Sequence, residues 1–68
     1  MPSATERVAT RVITLREQRG LSQEALAAKA GVHRMTIQRL EQAAHPPKLD
    51  TLERIAHALG VTLADLVK

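Results

Sequence analysis

An all-α fold of five short helices is the class this chain predicts, and three observations point to it. Its apolar residues are Leu, Ile, Val and a great deal of Ala, with no Phe, Tyr, Trp or Cys, a supply that favours closely packed helices over sheets. Those residues recur three and four positions apart along most of the chain, which is the period of one helix face. Single glycines at 20, 31 and 60 follow the periodic stretches, and Ser22 and Thr62 stand where helices restart, the usual stop and start chemistry.

The spacing of Val8, Val12 and Leu15 predicts a first helix over about 6–18, with Ala9 and Ile13 widening its stripe and Gly20 ending it. Ser22 is a good N-cap for a second helix over 23–29, with Leu26 and Ala30 inward. A third starts near His33 or Arg34 and reaches about Gln42, burying Ile37 and Leu40. Ala43 to Pro47 then form a connector, since a double proline removes two backbone donors. A fourth helix begins around Asp50 or Thr51 and reaches Ala58, with Leu52, Ile55, Ala56 and Leu59 inward and Asp50 and Glu53 at capping-box spacing. Gly60 closes it, and Thr62 with Asp65 opens a last short helix carrying Leu63, Leu66 and Val67. Residues 1–5 are expected to be a flexible N-terminus and residues 6–68 a single domain.

A chain of 68 residues holds one domain, and one this small buries only about 60% of its extended surface. Without cysteine or aromatic residues, disulfides, zinc–thiolate sites and aromatic platforms for stacked bases are absent. No apolar run approaches the roughly 20 residues of a membrane span, and residues 1–10 carry no apolar signal segment, so a cytoplasmic location and no membrane partner are expected. His33, His45 and His57 match no zinc spacing, and the chain has neither a nucleophile arrangement nor a phosphate loop. They read as surface or cap residues, and no metal, no cofactor and no catalysis are expected. The net charge of +3 is concentrated in the first two thirds of the chain, a bias that suits a polyanionic partner.

Gly31 interrupts what otherwise looks like one long amphipathic helix from Leu21 to Gln42. It is best read as a C-cap with Val32 tucked back into the core, so that two short helices cross steeply in a helix-turn-helix unit over 22–42. Ala27 then faces the third helix at the close approach, where a larger side chain would push the pair apart.

The stretch "LREQRGLSQEALAAKAGVHRMTIQRLE" over 15–41, continued by "LDTLERIAHALGVTLADLV" over 49–67, resembles the phage-repressor and Cro-like helix-turn-helix family of small DNA-binding regulators. Gln23, Ala27, Gly31, Val32, Ile37 and Leu40 fall in register with the family pattern. Two departures stand out: His33 replaces the usual Ser or Thr cap of the third helix, and "QAAHPP" replaces a glycine-containing turn after it. The resemblance implies a compact five-helix lambda-repressor-like domain, a cytoplasmic, nucleoid-associated location in a bacterium, phage or plasmid host, and an internal ion pair between Arg16 and Glu41, which has the planar geometry of a guanidinium and a carboxylate.

In such a unit the early residues of the third helix meet base edges in the major groove while the second helix lies across the backbone. Arg34, Met35, Thr36 and Gln38 are thus the candidate base readers. Arg34 suits guanine and Gln38 adenine. Met35 is either a contact to a thymine methyl or an exposed or partly core methionine. Gln23, His33, Lys29 and Arg39 are the candidate phosphate contacts. The reading is a sequence-specific regulator of double-stranded DNA, a repressor by preference. The competing one is an antitoxin or accessory protein-interaction module, for which acids or bulky apolar residues at 34, 35 and 38 would be the sign. One recognition helix covers few base pairs, so a homodimer on a palindromic operator is expected, with Leu63 inward and Val67, joined in part by Leu66, forming a small two-fold contact.

Overall fold

Five helices follow one another in the computed structural model, which describes all residues from Met1 to Lys68: α1 (Ala4–Gln18), α2 (Gln23–Ala30), α3 (Arg34–Glu41), α4 (Leu49–Leu59) and α5 (Leu63–Val67). The molecule measures 30 × 21 × 21 Å. Helix α2 is central, packed against both α3 and α4, while α1 lies across α3 and α5. One apolar cluster joins all five, with Val12, Leu26, Ile37, Ile55, Leu59 and Leu66 at its fully enclosed centre.

The first helix begins earlier than its apolar period suggests. Ser3 is the N-cap: its hydroxyl accepts from the Glu6 N–H at 3.2 Å, and the Glu6 carboxylate accepts from the Ser3 N–H at 2.9 Å. This reciprocal capping box satisfies two otherwise orphaned donors, so Ala4 and Thr5, expected in a flexible N-terminus, belong to the helix. Its signature, Ser3 followed by Glu6, is present in the sequence. It was masked because the first buried side chain is Val8.

The fourth helix also departs from expectation. It starts at Leu49 on Lys48, which makes no side-chain cap bond, so Asp50 and Glu53 form no capping box. Lys48, directly after the two prolines, is extended with ψ 146°, and the chain turns helical at the next residue. Asp50 is left inside the first turn, where its charge complements the helix dipole. At α5 the expected box does form: Thr62 N–H donates to Asp65 Oδ2 at 2.9 Å and Asp65 N–H to Thr62 Oγ1 at 3.1 Å. An Arg11 Nη1 donates to the Asp65 carbonyl at 2.9 Å and so fastens α5 to α1.

Leu66 is not available to a partner. It is 1% exposed, enclosed where α5 meets α1 and α4, whereas Val67 is 45% exposed and Leu63 half-buried. Residues 63 and 66 share one face of a helix and 67 turns about 100° away from 66. The core therefore claims both leucines, and Leu66 drops out of the expected two-fold contact.

The helix-turn-helix crossing follows the sequence closely. Gly31 takes a left-handed φ of 71°, and the Val32 N–H returns to the Ala27 carbonyl at 3.0 Å, the Schellman closure that glycine permits. Ala27 is buried between α2 and its neighbours, while Val32 is half-buried against the core. Helix α3 ends in the same way without a glycine. Ala43 takes a φ of 55°, and the Ala44 N–H closes back to the Arg39 carbonyl at 3.3 Å.

Candidate nucleic-acid interface

Helix α3 has a sharply divided surface because Ile37 and Leu40, three residues apart, both turn into the core. That leaves His33, Arg34, Met35, Gln38 and Arg39 exposed and Thr36 half-buried. Met35 is 55% exposed, which removes it from the core. His33 occupies the N-cap position with no side-chain cap bond, as an imidazole is poorly suited to that role.

Beside this face runs a groove between the first turns of α3 and the connector to α4. It is bordered by His33, Arg34, Met35, Thr36 and Arg39 on one side and by His45, Pro46, Pro47, Lys48 and Thr51 on the other. Arg34, Arg39 and Lys48 are cationic, and no carboxylate lines it. Lys48 and His45 escaped the sequence reading because nothing local places a loop after α3 back against its beginning. The signal available was a lysine set directly after two prolines that stiffen its approach.

Gln23, the first residue of α2, is half-buried, and its side chain is committed in part to the protein: Nε2 donates to Glu41 Oε1 at 2.9 Å. One amide N–H is thus engaged, leaving a second on the same nitrogen. Lys29 is not brought to this face. It sits at the other end of α2, in a shallow depression with Arg19, Leu21 and His57, where cationic residues complement the C-terminal ends of helices.

Behind the face, Arg16 and Glu41 form the bidentate pair. Nε donates to Oε2 at 2.7 Å and Nη2 to Oε1 at 3.1 Å, while Nη1 donates to the Leu21 carbonyl at 2.8 Å. The hydrogen bond to Glu41 raises the pKa of the guanidinium above its ordinary value, against the opposing effect of burial, so Arg16 keeps its charge. One guanidinium ties together α1, the turn before α2 and the end of α3. The whole arrangement presents an exposed helix face rich in hydrogen-bond donors and carrying a cationic margin. The chain has no cluster of His, Cys, Asp or Glu able to hold a metal ion.

Comparison with known proteins places this arrangement. The Helix-turn-helix family model matches residues 12–66. The transcriptional repressor RstR of the cryptic phage CTXphi from Vibrio cholerae is 38% identical over 58 residues, covering 85% of this chain and 52% of that protein. The immunity repressor of Bacillus phage phi105 is 37% identical over 60 residues, covering 88% of this chain and 42% of that protein. This chain therefore spans about half the length of those two repressors. Among solved structures, the hypothetical transcription factor NHTF from Neisseria superimposes over 100% of this chain and 82% of its own, with a TM-score of 0.91 and 28% identity.

Proposed function

The chain belongs to the helix-turn-helix family, whose pattern it carries over residues 12–66, and we propose that it is a sequence-specific DNA-binding regulator of transcription acting as a repressor. The observation that carries this reading is the exposed face of α3, which presents Arg34, Met35 and Gln38 beside a groove bordered by cationic residues and free of carboxylates. An α-helix with its side chains is about 10–12 Å across and the major groove about 12 Å wide, so α3 enters while the groove beside it straddles a phosphate backbone.

In this docking Arg34 reads a guanine edge and Gln38, one turn on, an adenine, with Met35 against a thymine methyl and Thr36 at the margin. Gln23, His33 and Arg39 meet phosphates, joined by Lys48. Lys29, facing elsewhere, is left out. The printed names of the Vibrio and Bacillus phage relatives, both repressors, support repression, which occlusion of a promoter achieves without further chemistry. No helix is long and apolar enough to cross a membrane. Two copies acting on a palindromic operator would meet through Val67, exposed at the end of α5.

Selection of bound duplexes from a random pool, followed by footprinting, tests the reading. A recovered palindrome protected on one face of the duplex is expected. Failure to enrich any sequence, with equal affinity for all duplexes, would overturn sequence-specific regulation.

A further inference from the structure

We propose that Glu41 is a positioning residue for the DNA contact: its Oε1 holds the Gln23 amide in place at the start of α2, so the Arg16–Glu41 pair prepares the interface as well as joining the helices. This rests on the DNA-binding reading above.

Glu41 lies at the C-terminal end of α3 and Gln23 at the N-terminal end of α2, yet Gln23 Nε2 and Glu41 Oε1 are 2.9 Å apart. The same oxygen accepts from Arg16 Nη2 at 3.1 Å. A carboxylate only accepts hydrogen bonds, so it dictates which end of the glutamine amide turns towards it. The nitrogen goes inward to Oε1, one of its hydrogens is used there, and the second stays free on a nitrogen that no longer moves. A glutamine without this tether would sample both amide orientations and several rotamers, and binding a phosphate would require it to lose that freedom. Burial sharpens the constraint, because the Glu41 side chain is 5% and the Arg16 side chain 14% exposed.

Arg16 has a second part in this. A carboxylate so near the α2 N-terminus would repel an approaching phosphate, and the guanidinium cancels that charge while fixing both oxygens. The first turn of α2 already directs N–H groups outward. Ser22 takes those of Ala25 and Leu26, and those of Gln23 and Glu24 have no partner within the helix. The tethered amide thus stands beside backbone donors that are equally rigid, and the link through Glu41 sets this group relative to α3. Phosphate contact at α2 and base contact at α3 are held in one register.

Two measurements decide the matter. The first is a double-mutant cycle in which the parent, Gln23→Ala, Glu41→Gln and the double variant are titrated against a short mixed-sequence duplex at one salt concentration. Loss of one charge-assisted phosphate contact is on the order of tenfold in affinity, so Gln23→Ala should cost about that in the parent. In the Glu41→Gln background the same change should cost less than about twofold. The second needs no variant and so stands even if Glu41→Gln fails to fold. Nitrogen-15 relaxation of the side-chain amides should give Gln23 an order parameter near the rigid value of about 0.85, with exposed Gln18 and Gln42 below about 0.6. Equal losses in both backgrounds, or a Gln23 amide as mobile as Gln18, overturns the positioning role while leaving DNA binding intact. A parent that binds no duplex overturns the DNA-binding reading and this inference together.

Discussion

Arg16 and Glu41, 25 residues apart in sequence, meet in two parallel hydrogen bonds of 2.7 and 3.1 Å that fasten α1 to α3. The pair is largely enclosed, and a third guanidinium bond to the Leu21 carbonyl engages the remaining nitrogen of Arg16. Removing one partner of such a pair strands the other charge at a cost of about 3–5 kcal/mol, a large fraction of what a small domain has to lose. Arg16→Ala should therefore melt far below the parent, while Arg16→Met combined with Glu41→Leu should recover much of the difference because no charge is left behind. A double variant no more stable than Arg16→Ala would show that the loss lay elsewhere.

Ala43 offers the opposite outcome. An L-residue in the left-handed region costs roughly 1–2 kcal/mol, part of which Gly returns through its greater freedom in the unfolded chain. With φ at 55° and the turn already closed by the Ala44 N–H, Ala43→Gly should stabilise by about 0.5–1 kcal/mol. Calorimetry should record a rise of a few degrees in melting temperature; an unchanged or lower one would mean that the alanine is not strained there.

Arg34 and Lys48 border the same groove from opposite sides and should separate reading from holding. Arg34→Ala should cost about 1–3 kcal/mol on the selected site and much less on a scrambled one. Lys48→Ala should weaken both alike and lower the salt slope by about one. Titrations of both duplexes over a range of salt test this, and a selective loss for Lys48→Ala would reassign it to the bases.

Acid should loosen the two ends of the chain. Backbone hydrogen bonds from Ser3 and Thr62, their helix N-caps, hold the Glu6 and Asp65 carboxyls below their ordinary values of 4.5 and 3.8. A depressed folded-state pKa contributes stability that is fully present above the unfolded value and lost as pH falls through the folded one. Thermal melts of the parent, Glu6→Ala and Asp65→Ala should thus differ at about pH 7, and the gap should narrow as pH falls below 4.5 for Glu6 and below 3.8 for Asp65. A gap that stays constant over that span would refute the capping contribution.

The number of helices, their order and the outward face of α3 were legible in the residue pattern alone. These depend on neighbours a few residues away: the three-residue step from Ile37 to Leu40 forces Arg34 and Gln38 outward, and Gly31 permits the left-handed turn that splits the long apparent helix. The Arg16–Glu41 pair was legible only through the family pattern, since no local rule brings residues so far apart together. Everything that hangs on how the helices cross came from the packing of the folded chain. It enclosed Leu66 and left Val67 outside, turned Lys29 away from the candidate site, folded Lys48 back beside Arg34, and brought Glu41 within reach of Gln23. Periodicity fixes which way a side chain leaves its own helix axis, but a contact between helices requires the angle and distance between two axes, and those are set by the packing of the whole core.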